Sequence, residues 1–447
     1  MGRPRLASLT DWFQDMDKNL TISVVGLGYI GLPTAAVAAS RIRDCKVVGL
    51  DVSSEIVDTV NRGDVHIVEP GLDMLVKGVV SEGRLRATVT PEPADVFVIA
   101  VPTPFDAQRE PDLSCIEAAA TNIAPVLRPG NLVILESTSP VGATERMTAW
   151  LAKQRPDLAF PIRSDGASAD ASAPGADIFV AHCPERVLPG WVIKELVDND
   201  RVIGGVTPAC TEKAVAFYRL FVRGKCVSTD ARTAEMVKLA ENAFRDVNIA
   251  YANELSTVCD DVGVNVWQLI SLANRHPRVN ILQPGCGVGG HCIAVDPWFI
   301  VHASPERANL IRAAREVNDG KPGYVLEQVG RAIREQDCKT VSCLGLSFKP
   351  NIDDMRESPA LQIVESLVAE FPECKFLAVE PNIDDLPASL RERANIFLEN
   401  TVESALEQAD LVVLLVDHRE FFTHVDRLRG TRLIDTRGVL DRAGQAE

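Results

Sequence analysis

The amino-acid sequence predicts an α/β protein: two Rossmann-like, doubly wound parallel-sheet domains joined by a long central helix and a helical middle domain. Three observations carry that reading. "ISVVGLGYIGLPTA" (22–35) runs an apolar strand through a GxGxxG turn into a small-residue helix. A weaker copy of the same order returns near the C-terminus: "TVSCLGLSF" (340–348) resembles the first strand and turn, "CKFLAVEPN" (374–382) echoes "CKVVGLD" (45–51), and "ADLVVLLVDH" (409–418) echoes "ADVFVIAVPTP" (94–104). Between the copies, "RTAEMVKLAENAFRDVNIAYANELSTVCDDVGV" (232–264) keeps helical periodicity, with no proline before residue 277.

Taken in order, residues 1–18 form an N-terminal extension without an assignable role. Residues 19–210 make the first nucleotide-binding domain: "CKVVGLDV" (45–52), "DVFVIAVPTP" (95–104) and "NLVILESTSP" (131–140) supply its later strands, with helical stretches between them. Inside it, "RSDGASADASAPGAD" (163–177) reads as a loop insertion, because it is rich in Ala, Ser, Gly and Asp. The central helical domain is expected over 211–320 and the second α/β domain over 321–447. A helix of about 30 residues spans some 45 Å, more than one small domain can cover. Its excess apolar length calls for a partner.

Composition narrows the function classes. In 447 residues, 46 Lys plus Arg face 62 Asp plus Glu, a net charge of −16, which argues against nucleic acid or an anionic membrane surface as partner. Any phosphate must therefore be held by local cations. No apolar run approaches the roughly 18 residues that span a bilayer, and the polar first residues lack the apolar core of a secretion signal, so a cytoplasmic location is expected. Eleven cysteines without a CxxC pair favour free thiols. Cys45, Cys343 and Cys374 read as small hydrophobes in apolar strands.

Gly26, Gly28 and Gly31 follow a strand and open a helix, and Asp51 ends the next strand. Glycines there let the backbone approach a pyrophosphate, the helix N-terminus favours its charge, and the acid accepts from a ribose 2′-hydroxyl. That acid would repel a 2′-phosphate, and "LDVSSE" places no Arg or Lys beside it, so NAD is expected rather than NADP.

"GCGVGGHCIAVDP" (285–297) surrounds Cys292 with glycines. Such a loop leaves backbone N–H groups free, lets a flat substrate approach, and stabilises a thiolate and a neighbouring oxyanion. Asp296, four residues on, could steer a water or a proton. His291 is more simply a loop side chain; one His and one Cys do not make a zinc site, and no metal is expected. On the long helix, Lys238 and Asn242 are i and i+4 and share a face with Glu235. From spacing alone a solvated helix face is the favoured reading.

From about Leu20 to Leu440 the chain resembles the UDP-glucose/GDP-mannose dehydrogenase family, through an ordered series of motifs: "GLGYIGLP", "VPTP", "ESTSPVGAT", "CPERVLPG", "DRVIGG", "AENAF", "GVGGHC", "GLSFKPNIDDMRESPA", "VDHREF" and "DTRGVLD". The stretches around the long helix and "NRHPRVNILQPGCGVGGHCIAVDPWFI" look most like the branch acting on UDP-N-acetyl-D-mannosamine. Cys286 departs from the proline expected in "GPGVGG", and the 163–177 insertion is touched by no motif.

The resemblance implies an NAD-dependent four-electron oxidation of the sugar's 6-alcohol to a carboxylate, making UDP-N-acetyl-D-mannosaminuronate as a precursor for surface polysaccharide. Cys292 would capture the aldehyde as a thiohemiacetal, later a thioester, so that the half-oxidised sugar stays bound while the cofactor is exchanged. Lys238 and Asn242 would steady the oxyanion, with Glu185, Thr138 and Asp296 positioning or activating water. For the cofactor the resemblance carries over Gly26, Gly28, Tyr29, Ile30, Gly31, Asp51, Thr103, Thr138 and Arg356. For the UDP-sugar it carries over Glu185, Arg186, Lys238, Asn242, Gly289, Phe348, Lys349 and Arg437, with Arg278 reaching a partner subunit's site. It also implies a homodimer through the central helix, with further assembly open.

Three rivals stand beside this. A sibling enzyme would run the same chemistry on UDP-glucose, UDP-N-acetylglucosamine or GDP-mannose. A two-electron dehydrogenase of the 6-phosphogluconate or 3-hydroxyacid kind would need neither Cys292 nor a second α/β domain. A non-catalytic nucleotide-sugar binder would have no use for Cys292, Lys238 and Asp296 together.

Overall fold

A computed structural model describes residues 19–106, 109–161, 176–188, 190–290 and 292–443. The N-terminal extension, nearly all of the 163–177 insertion and His291 lie outside the described residues. The chain divides into two compact units, one up to Ala240 and one from Glu241.

The first unit is built on eight strands: β1 (Thr21–Val25), β2 (Lys46–Leu50), β3 (Leu85–Thr88), β4 (Val96–Ile99), β5 (Leu132–Leu135), β6 (Phe179–His182), β7 (Arg201–Gly205) and β8 (Cys226–Asp230). They lie in the order β3-β2-β1-β4-β5-β6-β7-β8. All pairs are parallel except β6 with β7. Both faces are covered, which is why the strands read as continuous apolar runs. Val96 and Val98 of β4 join one buried cluster, while Phe97 and Ile99 join another on the opposite face.

The sheet runs on to Asp230, past the boundary at 210 read from the sequence. The reason is β8, a largely exposed edge strand with little apolar patterning to announce it. Two helices of this unit adjoin the strand ends: α1 (Gly31–Arg41), which follows the first glycine turn, and α2 (Ala143–Gln154).

Helix α3 (Ala231–Val262) is the long helix expected from periodicity, 32 residues in one run. In the second unit it is followed by α4 (Asp296–Ala303) and α5 (Asn309–Gln336). Helix α5 passes through the expected 320/321 boundary, because Pro322 lies inside it. Pro322 and its neighbour Lys321 are buried there, and that packing holds the helix through the lost hydrogen bond.

The second sheet comprises β9 (Thr340–Leu344), β10 (Lys375–Val379), β11 (Ile396–Leu398), β12 (Leu411–Leu414) and β13 (Leu433–Asp435), in the order β11-β10-β9-β12-β13. All its pairs are parallel. Renumbered from its own first strand this is 3-2-1-4-5, the order of the first five strands of the first unit. Among the described residues no helix is long and apolar enough to cross a membrane.

Candidate active site

In the first unit the expected residues gather on one edge of the sheet. Gly26 follows β1, Asp51 follows β2, and Thr103, Thr138 and Glu185 follow β4, β5 and β6 within four residues of the strand ends. The strand order reverses between β1 and β4, the switch point beyond whose carboxyl ends such sheets bind ligands.

The glycine turn is built for close approach. A Cβ on Gly31 would sit 1.7 Å from the Gly26 carbonyl oxygen, so the helix can start there only with glycine, whereas space beyond Gly28 is open for 4 Å. Helix α1 starts with no capping side chain and no acid in its first turn. Asp51 Oδ2 accepts from the Leu27 N–H at 2.8 Å and Oδ1 from the Ser53 N–H at 2.9 Å. Thr103 Oγ1 is buried and has no hydrogen-bond partner among the described residues. An open glycine turn, an uncapped helix start, a fixed carboxylate and an orphaned hydroxyl fit a dinucleotide. Tyr29 is exposed and Ile30 half-buried beside them.

Two further groups of this unit are buried. Glu185 and Lys238 face each other, Oε2 to Nζ, at 3.9 Å, and both residues are less than a tenth exposed. The Glu185 N–H donates to the Glu136 carbonyl at 3.3 Å, which ties the Glu185 loop to the end of β5, two residues before half-buried Thr138. Arg186 donates to the Asp200 carbonyl at 3.1 Å.

Sequence reasoning missed one acid here and misplaced another. Glu136 is fully buried and accepts from the Tyr218 hydroxyl at 3.0 Å, with Arg201 at 3.4 Å. Glu235, read from spacing as a neighbour of Lys238, instead turns to α2: it accepts from the Gly142 N–H at 2.6 Å and from the Thr144 N–H and hydroxyl at 2.8 and 2.6 Å. Burial pushes its carboxyl up to about 7.

In the second unit, Cys292 is the exposed cysteine; the other ten are buried or half-buried. Its carbonyl accepts from the Val295 and Asp296 N–H groups at 3.1 and 2.8 Å, and Asp296 begins α4. Asn242 on α3 donates to Asp296 Oδ2 at 2.6 Å, and both are buried.

The glycines around Cys292 serve a different end from the one read in the sequence. A Cβ on Gly285 would meet Arg437 Nη1 at 2.4 Å. On Gly289 it would meet the Glu357 carbonyl oxygen at 2.3 Å and Phe348 Cβ at 2.9 Å, and on Gly290 the Phe348 ring at 2.8 Å. The stripped backbone is filled by the protein's own 348–357 segment and Arg437 rather than left open for a substrate. Phe348 and Gly289 are thereby packed together, as two of the expected substrate residues.

Arg437 also donates from Nε to Asp417 Oδ1 at 2.8 Å, while Arg442 takes Asp417 Oδ2 at 2.6 Å. A diphosphate would have to share this cation. Lys349 is half-buried; Arg356 forks onto Asp354 at 2.6–3.1 Å; Arg278 is exposed.

Comparison with known proteins accounts for nearly the whole chain. Residues 20–222, 232–320 and 342–442 match in turn the NAD binding, central and UDP binding domains of the UDP-glucose/GDP-mannose dehydrogenase family. An NDP-N-acetyl-D-galactosaminuronic acid dehydrogenase from Ralstonia nicotianae is 63% identical over 420 residues, covering 94% of this chain and 96% of its own. A UDP-N-acetyl-D-mannosamine dehydrogenase from Campylobacter jejuni is 58% identical over 401 residues, covering 90% and 96%. Among solved structures, a UDP-D-ManNAc dehydrogenase from Pyrococcus horikoshii superposes with a TM-score of 0.81 at 39% identity, covering 94% and 96%.

Proposed function

The chain belongs to the UDP-glucose/GDP-mannose dehydrogenase family, an NAD-dependent enzyme family, and from that premise we propose that it oxidises UDP-N-acetyl-D-mannosamine at C6 to the uronate in two steps at Cys292. The observation that carries this reading is the exposed Cys292, whose carbonyl accepts from the N–H of Asp296, the residue to which Asn242 donates.

NAD, when bound, accepts the hydride at each oxidation. The Gly26–Gly31 turn and Asp51 would hold it, with the unpartnered Thr103 hydroxyl available to it. The 6-alcohol first loses a hydride and a proton to become an aldehyde. Cys292 Sγ adds to its carbonyl carbon, and the oxyanion takes up a proton to give a thiohemiacetal. Loss of a second hydride and a proton leaves a thioester. Water, oriented by the Asp296 carboxylate that Asn242 holds, attacks that carbonyl and releases carboxylate, proton and thiol. Lys238 supplies positive charge where the oxyanion forms, and Glu185 and Thr138 order the water. Four electrons leave the sugar and two cofactor molecules are reduced.

Lys349, Arg437 and Phe348 hold the UDP part, Arg278 serves a second copy's site, Arg186 and Gly289 contact the sugar nucleotide, and Arg356 serves the cofactor. The product serves as a precursor for surface polysaccharide, made in the cytoplasm where nucleotide sugars and NAD are at hand.

A second reading, favoured by the 63% identity to a relative named for galactosaminuronic acid, is the same reaction on a galacto-configured UDP-N-acetylhexosamine. Purified protein is assayed with UDP-N-acetyl-D-mannosamine, UDP-N-acetyl-D-galactosamine and UDP-glucose. Two NADH per sugar are expected, with the manno sugar fastest. Cys292→Ser should bind the sugar yet lose turnover by roughly 10³-fold or more; near-normal NADH production by that variant would rule out covalent capture.

The protein acts as a homodimer. Phe244, Tyr251, Val258 and Val262 recur every four to seven residues along one side of α3 and are 69%, 53%, 48% and 66% exposed. Four large apolar side chains along one helix stripe suit a second copy of the same stripe. Light scattering should give twice the chain mass, and Tyr251→Glu should halve it; a monomeric unsubstituted protein would contradict the pairing.

A further inference from the structure

Among the described residues between Gly285 and Val295 there is no helix or strand, and something must fix where the Cys292 sulfur lies. One end is accounted for by Asn242, which donates to Asp296 at 2.6 Å. The other end is held from the same helix. The Gly285 N–H donates to Asn253 Oδ1 at 2.9 Å, and Asn253 has no exposed surface. Asn242 and Asn253 are eleven residues apart on α3, about three turns or roughly 16 Å, so the loop hangs from two points on one rigid rod.

The anchor is directional. A backbone N–H can only donate, so Asn253 must present its oxygen to Gly285 and its amide nitrogen elsewhere. That nitrogen donates to Asn318 Oδ1 on α5 at 2.8 Å. Asn318 in turn donates from Nδ2 to Asp246 Oδ1 at 2.8 Å and to the Asp246 carbonyl at 3.0 Å. Asp246 is fixed by Arg315 Nη1 at 2.5 Å, and Arg315 also pairs with Asp319. Asp246, Asn253, Arg315 and Asn318 are all 1% exposed or less. Flipping any one amide would set donor against donor or acceptor against acceptor inside a buried cluster, which is costly. The start of the loop is therefore pinned with a single polarity.

We propose that Asn253 is a positioning residue for Cys292, holding the thiol-bearing loop through Gly285, with its own orientation set by Asn318, Asp246 and Arg315. It touches no substrate and acts through the loop alone. The proposal rests on the reading of Cys292 as nucleophile, but its test does not: iodoacetamide labels an exposed thiol whatever the enzyme's chemistry.

The measurement is the rate of iodoacetamide labelling at Cys292 in the full-length protein, followed by peptide mass, with half-buried Cys115 and Cys226 as internal references. Asn253→Ala should change the Cys292 rate by more than about fivefold with the references unmoved, and lower kcat about 10- to 100-fold at unchanged KM for NAD. Asn253→Asp should behave likewise, because Asn318 must then turn its oxygen towards Asp246. A folded Asn253→Ala with an unchanged Cys292 rate and kcat would overturn the proposal. Should the variants unfold, amide exchange in the unsubstituted protein decides: the Gly285 N–H should be among the slow amides, and exchange at the rate of an open loop would sink the idea. If Cys292→Ser kept its turnover while Asn253→Ala still altered labelling, the nucleophile reading would fail and the positioning would stand.

Discussion

The two α/β units build the same turn and put it to different use. Gly26 and Gly345 both follow the first strand of their sheet, at φ +89° and +91°. Each donates its N–H to the last residue of the neighbouring strand, Gly26 to Leu50 at 2.8 Å and Gly345 to Val379 at 2.9 Å. The next residue of each turn donates to the acid that ends that strand: Leu27 to Asp51 at 2.8 Å, Leu346 to Glu380 at 2.7 Å. Even the strand starts agree, for Thr21 donates to Asp95 at 2.8 Å and Thr340 to Asp410 at 2.9 Å.

They differ in where the next helix starts, at Gly31 in one and at Pro359 in the other, and in the side chain beyond the fourth strand. Four residues past β4 stands Thr103, whose hydroxyl is buried and unpartnered among the described residues; four residues past β12 stands His418. His418 is fully buried, 3.1 Å from Glu380 and 3.3 Å from the Ser347 hydroxyl, and its other ring nitrogen accepts from the Asn351 N–H at 3.0 Å. In the first unit the acid is half-buried and the hydroxyl has no partner among the described residues; in the second an imidazole closes on the acid. One turn has room for the dinucleotide proposed for it, and the other holds its own 346–351 loop, with Phe348 and Lys349 on it. The helix start and the side chain four residues beyond the fourth strand set them apart.

That contrast predicts opposite outcomes for the two acids. Glu380→Ala strips a buried imidazole and two backbone N–H groups of their acceptor, so it should cost about 3–5 kcal/mol of stability and leave NAD affinity alone. A melting curve beside a cofactor titration checks both, and a variant as stable as the unsubstituted protein would erase the distinction. The pH dependence sharpens it. Burial alone would raise the Glu380 carboxyl, but His418 and the Leu346 N–H outweigh it and hold the group below its ordinary 4.5. A carboxyl whose folded value is depressed contributes stability above its unfolded value and loses it as pH falls through the folded one. The unsubstituted protein should therefore lose stability below about pH 4.5 more steeply than Glu380→Gln.

Much of this was legible in the sequence, and the part that was not has a common cause. The strand, turn and helix at 22–35 and the acid at Asp51 could be read because their chemistry lies within one βαβ unit, where spacing along the chain is spacing in the fold. The same holds for the order of the second sheet, announced by "TVSCLGLSF", "CKFLAVEPN" and "ADLVVLLVDH". The pairing of "VDH" with "VPT" even lay in that alignment, but nothing in the letters says that His418 turns inward onto Glu380. Asn253, Glu235 and Arg437 likewise owe their roles to partners 32, 91 and 20 residues away. The glycines around Cys292 show the risk most clearly: their composition suggested open access, whereas the space is taken by Phe348, Glu357 and Arg437. Low side-chain volume in a sequence marks a close approach without saying of what.

The smaller effect belongs to the first unit. Asp51→Ala removes an acceptor from the ribose hydroxyls and one N–H contact from the turn, in a half-buried place where water can replace the latter. NAD affinity should fall about 10- to 100-fold, the equivalent of roughly 1.5–3 kcal/mol for a hydrogen bond to a charged group, with a melting temperature close to that of the unsubstituted protein. Because the carboxylate also repels a 2′-phosphate, NADP should lose less than NAD, and the preference between them should narrow. The pair of variants then forms a cross: Glu380→Ala unstable but able to bind cofactor, Asp51→Ala stable but deficient in it. An Asp51→Ala protein that kept its preference for NAD would place the ribose contact elsewhere on the turn, and the two acids would then have to be regarded as structural alike.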